Sequence, residues 1–306
     1  MYSLSYMRAS SVAQAAEALA ADSDAILLAG GQTLIPTLKQ RLAAPSLLVD
    51  ISRIEQLRGI QRYDETVVIG AMTRHFEVAT SDVVRAAIPG LAELASQIGD
   101  PHVRHRGTIG GSVANNDPAA DYPGACLALG ATIRTDRREI AADNFFVGLF
   151  ETTLDAGEIL TSVSFPIPTK MAYAKFPNPA SRYSLVGVCV ALTMAGPRVA
   201  VTGSGMQGVF RWKEAEAALA RFEANALDGL EIGPDNLSSD IHAQADYRAS
   251  LISVMAKRAV QAANDRVEQQ RELAARSEKS FDEGTNDGQN RDGTEDPPRD
   301  DGRRVP

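Results

Sequence analysis

Two short segments carry the residue types that hold phosphate: Ala29-Gly30-Gly31-Gln32-Thr33, and Thr108-Ile109-Gly110-Gly111-Ser112-Val113-Ala114-Asn115-Asn116-Asp117-Pro118. Paired glycines let the backbone close on an anion so that several N–H groups face it, and the neighbouring hydroxyl and amide side chains add donors. Each charge-assisted hydrogen bond contributes roughly 1.5–3 kcal/mol, so a few hold a pyrophosphate without lysine or arginine. Taken singly, either segment reads equally well as a tight turn. Taken together, they match the two phosphates of a dinucleotide.

Other candidate chemistry is weaker. Gly203-Ser204-Gly205-Met206-Gln207-Gly208 fits the G-x-G-x-x-G pattern, with Glu223 further on. No β-branched run follows at Ala224–Gly229, and the next helix starts only past Val209 and Phe210, so the context argues against a nicotinamide site. The histidines are His75, His102, His105 and His242. His102 and His105 stand i, i+3 on the approach to the second segment with no cysteine beside them, and read as positioning or surface residues rather than metal ligands. No arrangement of nucleophile and base stands out.

The elements that position these segments follow from the pattern. Ser11 to Ala21 reads as a serine-capped helix, and Ile26–Ala29 as a short strand running into the first glycines, with a helix from Leu34 to Leu42 behind them. Backbone amides and a positive helix end then meet at one point. Further strands are expected at Leu47–Ile51, Thr66–Gly70 and Ala131–Thr135, and helices at Arg74–Thr80, Val83–Gln97 and Tyr122–Leu129. From about Thr161 the pattern becomes antiparallel: strands at Ser162–Phe165, Ala172–Phe176 and Leu185–Met194, a Gly196-Pro197 hairpin into Arg198–Thr202, and helices at Trp212–Phe222 and Tyr247–Ala263. These elements define an α+β chain with a boundary near residue 170.

The 306 residues are 44% hydrophobic and 23% charged, ordinary for a folded domain of this size. The net charge of -8 excludes a nucleic-acid binder that relies on a basic face. No apolar run reaches the ~18 residues of a membrane span and the N-terminus has no leader pattern, so a cytoplasmic protein is expected. Only Cys126 and Cys189 are present, both in apolar surroundings. They read as packing thiols and provide neither a zinc site nor an iron–sulfur cluster, so any metal centre belongs to another polypeptide. The stretch Ser277–Pro306 holds nine acids, five bases and two large apolar residues, and a disordered acidic tail over 265–306 is expected.

In combination, these segments resemble the FAD-binding medium subunit of molybdenum hydroxylases, of the carbon monoxide dehydrogenase type and related to xanthine dehydrogenase flavin subunits. The resemblance runs from about Leu4 to Ala263 through Ala29-Gly30-Gly31-Gln32-Thr33-Leu34-Ile35-Pro36, Arg106-Gly107-Thr108-Ile109-Gly110-Gly111-Ser112, Asp117-Pro118-Ala119-Ala120-Asp121 and the closing Tyr247-Arg248 segment. It implies a two-subdomain FAD domain of the vanillyl-alcohol-oxidase type over 1–170, a small antiparallel sheet packed with helices over 171–264, and FAD as cofactor. It places Ala29, Gly30, Gly31, Gln32 and Thr33, with Thr108, Ile109, Gly110, Gly111, Ser112 and Asn115, around the cofactor. It gives Asp121 to the ribityl or adenosine part, Lys175 to the neighbourhood of the flavin and Tyr183 to the face of its ring. Its implied partners are a molybdenum-cofactor large subunit and an iron–sulfur small subunit. Two other readings stand beside it: a self-contained FAD-dependent oxidase of a small alcohol or amine, and a nucleotide-binding assembly module without redox activity.

Overall fold

The computed structural model describes residues 1–286. The chain opens with β1 (Ser5–Arg8), α1 (Val12–Ala21), β2 (Ile26–Leu28), α2 (Leu34–Lys39) and β3 (Leu47–Asp50). Its three strands pair in parallel in the order β1-β3-β2. Ser11 caps α1, its hydroxyl accepting the Gln14 N–H at 3.1 Å. Ala15, Val49, Ile51, Ile54 and Leu57 form a small core beneath this sheet, each fully buried aliphatic side chain contributing roughly 1.5–3 kcal/mol.

Next come β4 (Ile60–Tyr63), β5 (Thr66–Gly70), α3 (His75–Thr80), α4 (Asp82–Ala87), α5 (Pro89–Ser96), α6 (Pro101–Arg104), α7 (Ile109–Asn115) and α8 (Tyr122–Leu129). The helix expected over Val83–Gln97 is two helices. Ile88 precedes a proline and is held at φ -138°, ψ 67°, out of the helical region, so the chain turns between α4 and α5. Then follow β6 (Thr132–Thr135), β7 (Glu139–Ala141), β8 (Phe146–Gly148), β9 (Glu151–Thr152) and β10 (Leu160–Pro166). An antiparallel sheet in the order β4-β5-β10-β6-β7 covers the main core, and β8-β9 form a separate hairpin.

The last sheet is β11 (Lys170–Pro177), β12 (Ser184–Thr193), β13 (Gly196–Thr202) and β14 (Phe210–Arg211), antiparallel in that order, followed by α9 (Lys213–Ala218) and α10 (Ala245–Asn286). Both faces of this sheet are covered, which is why β12 is an almost unbroken apolar run. Met171, Tyr173, Cys189, Ala191 and Ala200 enter the main core with residues of α5 and α8. The alternate residues Ala172, Val186, Val188, Val190, Val199 and Val201 enter a second core with α9 and α10. The pairings Ala172↔Val190 and Tyr173↔Cys189 fix which side chain faces which core. On α10, Leu251, Ile252, Met255, Ala256, Ala259, Val260 and Ala263 supply the facing stripe at helical spacing.

Residues 1–264 form one compact unit, and its main core crosses residue 170. Buried Arg248 pins the start of α10 to this sheet, donating to the Leu185 and Gly203 carbonyls at 2.6 and 2.7 Å and to Asp240 at 2.7 Å. α9 is shorter than expected, with Trp212 at its N-cap. α10 is longer and stays helical through 286, over residues given above to a disordered tail. Residues 287–306 of that expected tail lie outside the described residues.

Candidate functional site

The first glycine segment is the turn between β2 and α2. Gly31 takes φ 73°, a left-handed conformation open to glycine at little cost. Gly30 is pressed against the second segment: a Cβ there would stand 2.5 Å from the Arg106 carbonyl oxygen and 2.7 Å from the Gly107 Cα. A Cβ on Gly111 would likewise stand 3.6 Å from that of Ala29. The two segments therefore meet, as a shared anion site requires. The amide N–H groups of Gly30, Gly31, Gln32 and Thr33 find no acceptor among the described residues. Gly30, Gly31 and Gln32 border a cleft of about 320 Å³ that is also lined by Ile35, Lys39 and Arg106.

Lys39 and Arg106 have no acidic partner among the described residues, so this cleft carries uncompensated positive charge. From sequence, the phosphate falls to backbone amides and neighbouring hydroxyls, without lysine or arginine. These two cations are missed there because their approach to the glycines depends on α2 and the Arg106-Gly107 backbone folding together.

The second segment is a helix start, not an open loop. Thr108 is the N-cap of α7, its hydroxyl accepting the Gly111 N–H at 3.2 Å. The Ile109 and Gly110 N–H groups donate to the Thr73 and Ala71 carbonyls at 3.0 and 2.9 Å, and the Ser112 N–H to the Thr108 carbonyl at 3.0 Å. These amides, expected at the phosphate, are occupied, and a Cβ on Gly110 would stand 2.5 Å from that of Ala71. The glycines here serve close packing of α7 on the chain after β5. On the second segment's side the cleft is lined by Arg106, while the buried Thr108 hydroxyl caps α7.

At the other end of α7, roughly 10 Å along for a helix of this length, the chain reaches a second cleft of about 360 Å³. Pro118, Ala119, Leu149, Tyr183, Met206 and Arg248 are among its walls. Asn115 is half-buried in the last turn of α7. Its neighbour Asn116, missed by sequence reasoning, is buried at φ 42° and donates through Nδ2 to the Gly148 and Glu151 carbonyls at 2.8 and 2.9 Å. Tyr183 is 45% exposed, and partial burial with Asp117 and Asp121 nearby pushes its phenol pKa up. The glycines of the Gly203–Gly208 pattern sit in the connection from β13 to antiparallel β14, which agrees with setting that pattern aside.

Asp121 and Lys175 come together in a buried ion pair at 3.0 Å. Asp121 also accepts from the Tyr173 hydroxyl and from Ser184 Oγ at 2.8 Å, while Lys175 Nζ donates to the Gln97 carbonyl at 3.2 Å. The family resemblance assigns these two residues to the cofactor; in the structure each is held first by the other. Tyr173 and Ser184 could not be linked to Asp121 from sequence, because the link runs through the register of β11 and β12.

His75 lies beneath the second segment. Its backbone N–H donates to the Gly107 carbonyl at 3.0 Å, and a Cβ on Gly107 would stand 2.5 Å from its Nε2. Burial, then the Arg104 charge, lowers its pKa from 6.5 to about 4. The unfolded chain therefore takes up this proton first as pH falls. The contribution is full above about pH 6.5 and is lost on going down to pH 4, a change on the order of 3 kcal/mol. Urea midpoints measured across that window are expected to fall in the wild type and to fall less in His75→Gln. An equal fall in both would assign the effect to other groups.

The site sets amides without acceptors and two cations between packed turns, and no group of three potential metal-binding side chains occurs among the described residues. Residues 2–168 match the family described as the FAD binding domain in molybdopterin dehydrogenase. The chain is 35% identical over 261 residues to the carbon monoxide dehydrogenase medium chain of Hydrogenophaga pseudoflava, covering 79% of this chain and 90% of that one. It is 33% identical to the nicotine 6-hydroxylase medium subunit of Paenarthrobacter nicotinovorans, covering 83% and 95%. Among solved structures it superposes on carbon monoxide dehydrogenase from Hydrogenophaga pseudoflava with a TM-score of 0.80 at 36% identity, over 87% of this chain and 98% of that one.

Proposed function

This chain belongs to the family of FAD-binding domains of molybdopterin dehydrogenases, and on that premise we propose that it is the electron-transfer subunit of a molybdenum hydroxylase, taking electrons from an iron–sulfur subunit and passing them to an external acceptor. It is an FAD-binding component of an oxidoreductase complex. The observation that carries the reading is the meeting of the two glycine segments around amides that have no other partner.

The residues present fit FAD. A diphosphate needs several donors and positive charge, and the cleft offers the amides of Gly30, Gly31 and Gln32 with Lys39 and Arg106. When bound, FAD supplies a carrier that accepts electrons singly and releases them in pairs. The chain's own part is to bind and orient it. Gly30, Gly31, Gln32 and Thr33 would hold the diphosphate with Lys39 and Arg106, while Ala29, Thr108, Ile109, Gly110, Gly111 and Ser112 would set the shape of the cradle through the packing and capping of α7. Asn115 stands on the helix leading from that cradle to the second cleft, where Tyr183 forms part of the wall. The Asp121–Lys175 pair fixes α8 against β11 beside that wall, with both charges compensated before any ligand arrives. The substrate is oxidised on the large subunit, so no residue here acts on it as acid or base. A two-subdomain layout of the vanillyl-alcohol-oxidase type, with β1–β3 as one subdomain and the β4–β10 region as the other, accommodates this arrangement.

The test uses the assembled complex, pre-reduced with stoichiometric dithionite and then mixed with an external quinone or nicotinamide acceptor. The wild-type complex is expected to reduce the acceptor. A complex assembled with an FAD-depleted chain is expected to keep its iron–sulfur clusters reduced and to transfer at under a tenth of the rate. Equal rates with and without FAD would refute the role.

A further inference from the structure

Pro118 and Ala119, in the connection between α7 and α8, line the second cleft together with Tyr183, Ser184 and Gly203. The carbonyls of Pro118, Ala119 and Ala120 all accept from the ends of β12 and β13. The Gly203 N–H donates to the Pro118 carbonyl at 2.8 Å and the Ser184 N–H to the Ala119 carbonyl at 3.3 Å. The Thr202 hydroxyl lies 2.6 Å from the Ala120 carbonyl oxygen and 3.0 Å from that of Pro118, so one side chain serves two of the three. We infer that Thr202 is a positioning residue for FAD, its hydroxyl holding this connection in the place where it forms the cleft wall. The inference rests on the FAD-binding reading and adds to it a residue of the last sheet that does not itself line the cleft.

The hydroxyl is aimed by the packing of the rest of the side chain. Thr202 is fully buried, and its methyl group sits beside two glycines. A Cβ on Gly187, its pairing partner on β12, would stand 2.8 Å from that methyl, and one on Gly124 of α8 would stand 3.7 Å from it. A β-branched side chain with its methyl seated in this way has little freedom at χ1, and its oxygen is left facing the two carbonyls.

The support behind Thr202 is fixed as well. Buried Arg248 holds the carbonyls of Leu185 and Gly203, and Ser204 Oγ donates to the Leu185 carbonyl at 3.2 Å. At the far end of the connection, Asp121 is held by Tyr173, Ser184 and Lys175. Between these anchors the Ala120 carbonyl has the Thr202 hydroxyl as its donor, and a buried carbonyl that loses its donor keeps the full cost of desolvation.

Valine has the shape of threonine with a methyl in place of the hydroxyl. In the same rotamer that methyl would stand 2.6 and 3.0 Å from the two carbonyl oxygens. Carbon meets a carbonyl oxygen at roughly 3.3–3.6 Å, so the connection must move by about half an ångström. A binding site is held to about that tolerance by the residues behind it, so the displaced wall no longer fits the same ligand pose. Serine keeps the oxygen and gives up only the methyl.

The experiment uses the assembled complex, depleted of FAD and titrated with it, and records the visible circular dichroism of the bound flavin beside its affinity. Thr202→Val is expected to bind FAD about 10-fold or more weakly than wild type, with an altered flavin spectrum. Thr202→Ser is expected to stay close to wild type in both. Thr202→Ala removes the hydroxyl without bringing a methyl against the carbonyls; it is expected to fall between the two, and it decides the matter if Thr202→Val does not fold. Wild-type affinity and spectrum in the variants that lack the hydroxyl overturn the inference alone. Equal losses in Thr202→Ser and Thr202→Val assign the effect to the methyl and overturn it too. A wild-type complex that takes up no FAD removes both this inference and the reading on which it rests.

Discussion

Gly30→Val is expected to yield a folded chain that no longer retains FAD. The atoms its side chain would meet are backbone, the Arg106 carbonyl oxygen at 2.5 Å and the Gly107 Cα at 2.7 Å, and backbone cannot step aside as a flexible side chain can. The two turns must part, at a packing cost of about 1–3 kcal/mol. Parting them moves the amides of Gly30–Thr33 away from Arg106 on the opposite wall of the cleft. Losing two charge-assisted hydrogen bonds at roughly 1.5–3 kcal/mol each weakens binding by more than 100-fold. The measurement is the flavin-to-protein ratio after gel filtration, with far-UV circular dichroism to confirm folding. Gly233→Ala is the matched control: an added Cβ meets nothing within 4 Å there, and φ is -67°. A Gly30→Val chain with full FAD would show that the cofactor sits elsewhere.

Asp121→Asn and Lys175→Met are each expected to destabilise the chain by about 3–5 kcal/mol. Their side chains are 5% and 3% exposed, so removing one charge leaves the other buried without its counter-ion. In a unit of this size that corresponds to a melting temperature lower by roughly 10 °C. Joint replacement as Asp121→Leu/Lys175→Met is expected to cost less than the sum of the single changes, because neither charge is then stranded. Tyr173 and Ser184 would lose their shared acceptor, so part of the loss remains in the double variant. Single variants that melt within 2 °C of wild type would show that water reaches the pair and solvates the survivor.

Local chemistry was legible where a few neighbouring residues decide it. Ser11 announced the start of α1, the apolar block at Tyr122–Leu129 announced α8, and Gly196-Pro197 announced the turn between β12 and β13. The first glycine pair marked a turn whose amides have no acceptor among the described residues. What stayed hidden depends on contacts between distant segments. The amides at 110 and 111 were read as free to bind, when Gly110 packs α7 against Ala71 and the Gly111 N–H is taken by the Thr108 hydroxyl. Lys39 and Arg106 are unremarkable until α2 and the turn before α7 face one cleft. Asp121 and Lys175 looked like ligand contacts because nothing local shows that they reach each other. Pro89 was the one local signal passed over, and it splits the helix after α3.

The alternation along β12 limits how this protein can change. Val188 and Val190 point into one core and Cys189 and Ala191 into the other, so adding or deleting one residue would send every later side chain of the strand into the wrong one. Descendants of this chain can vary freely in the turns at either end of the strand, but within it length changes are tolerable only in twos. An engineer grafting a different acceptor site onto the subunit inherits the same arithmetic: the strand must be replaced whole or kept in step.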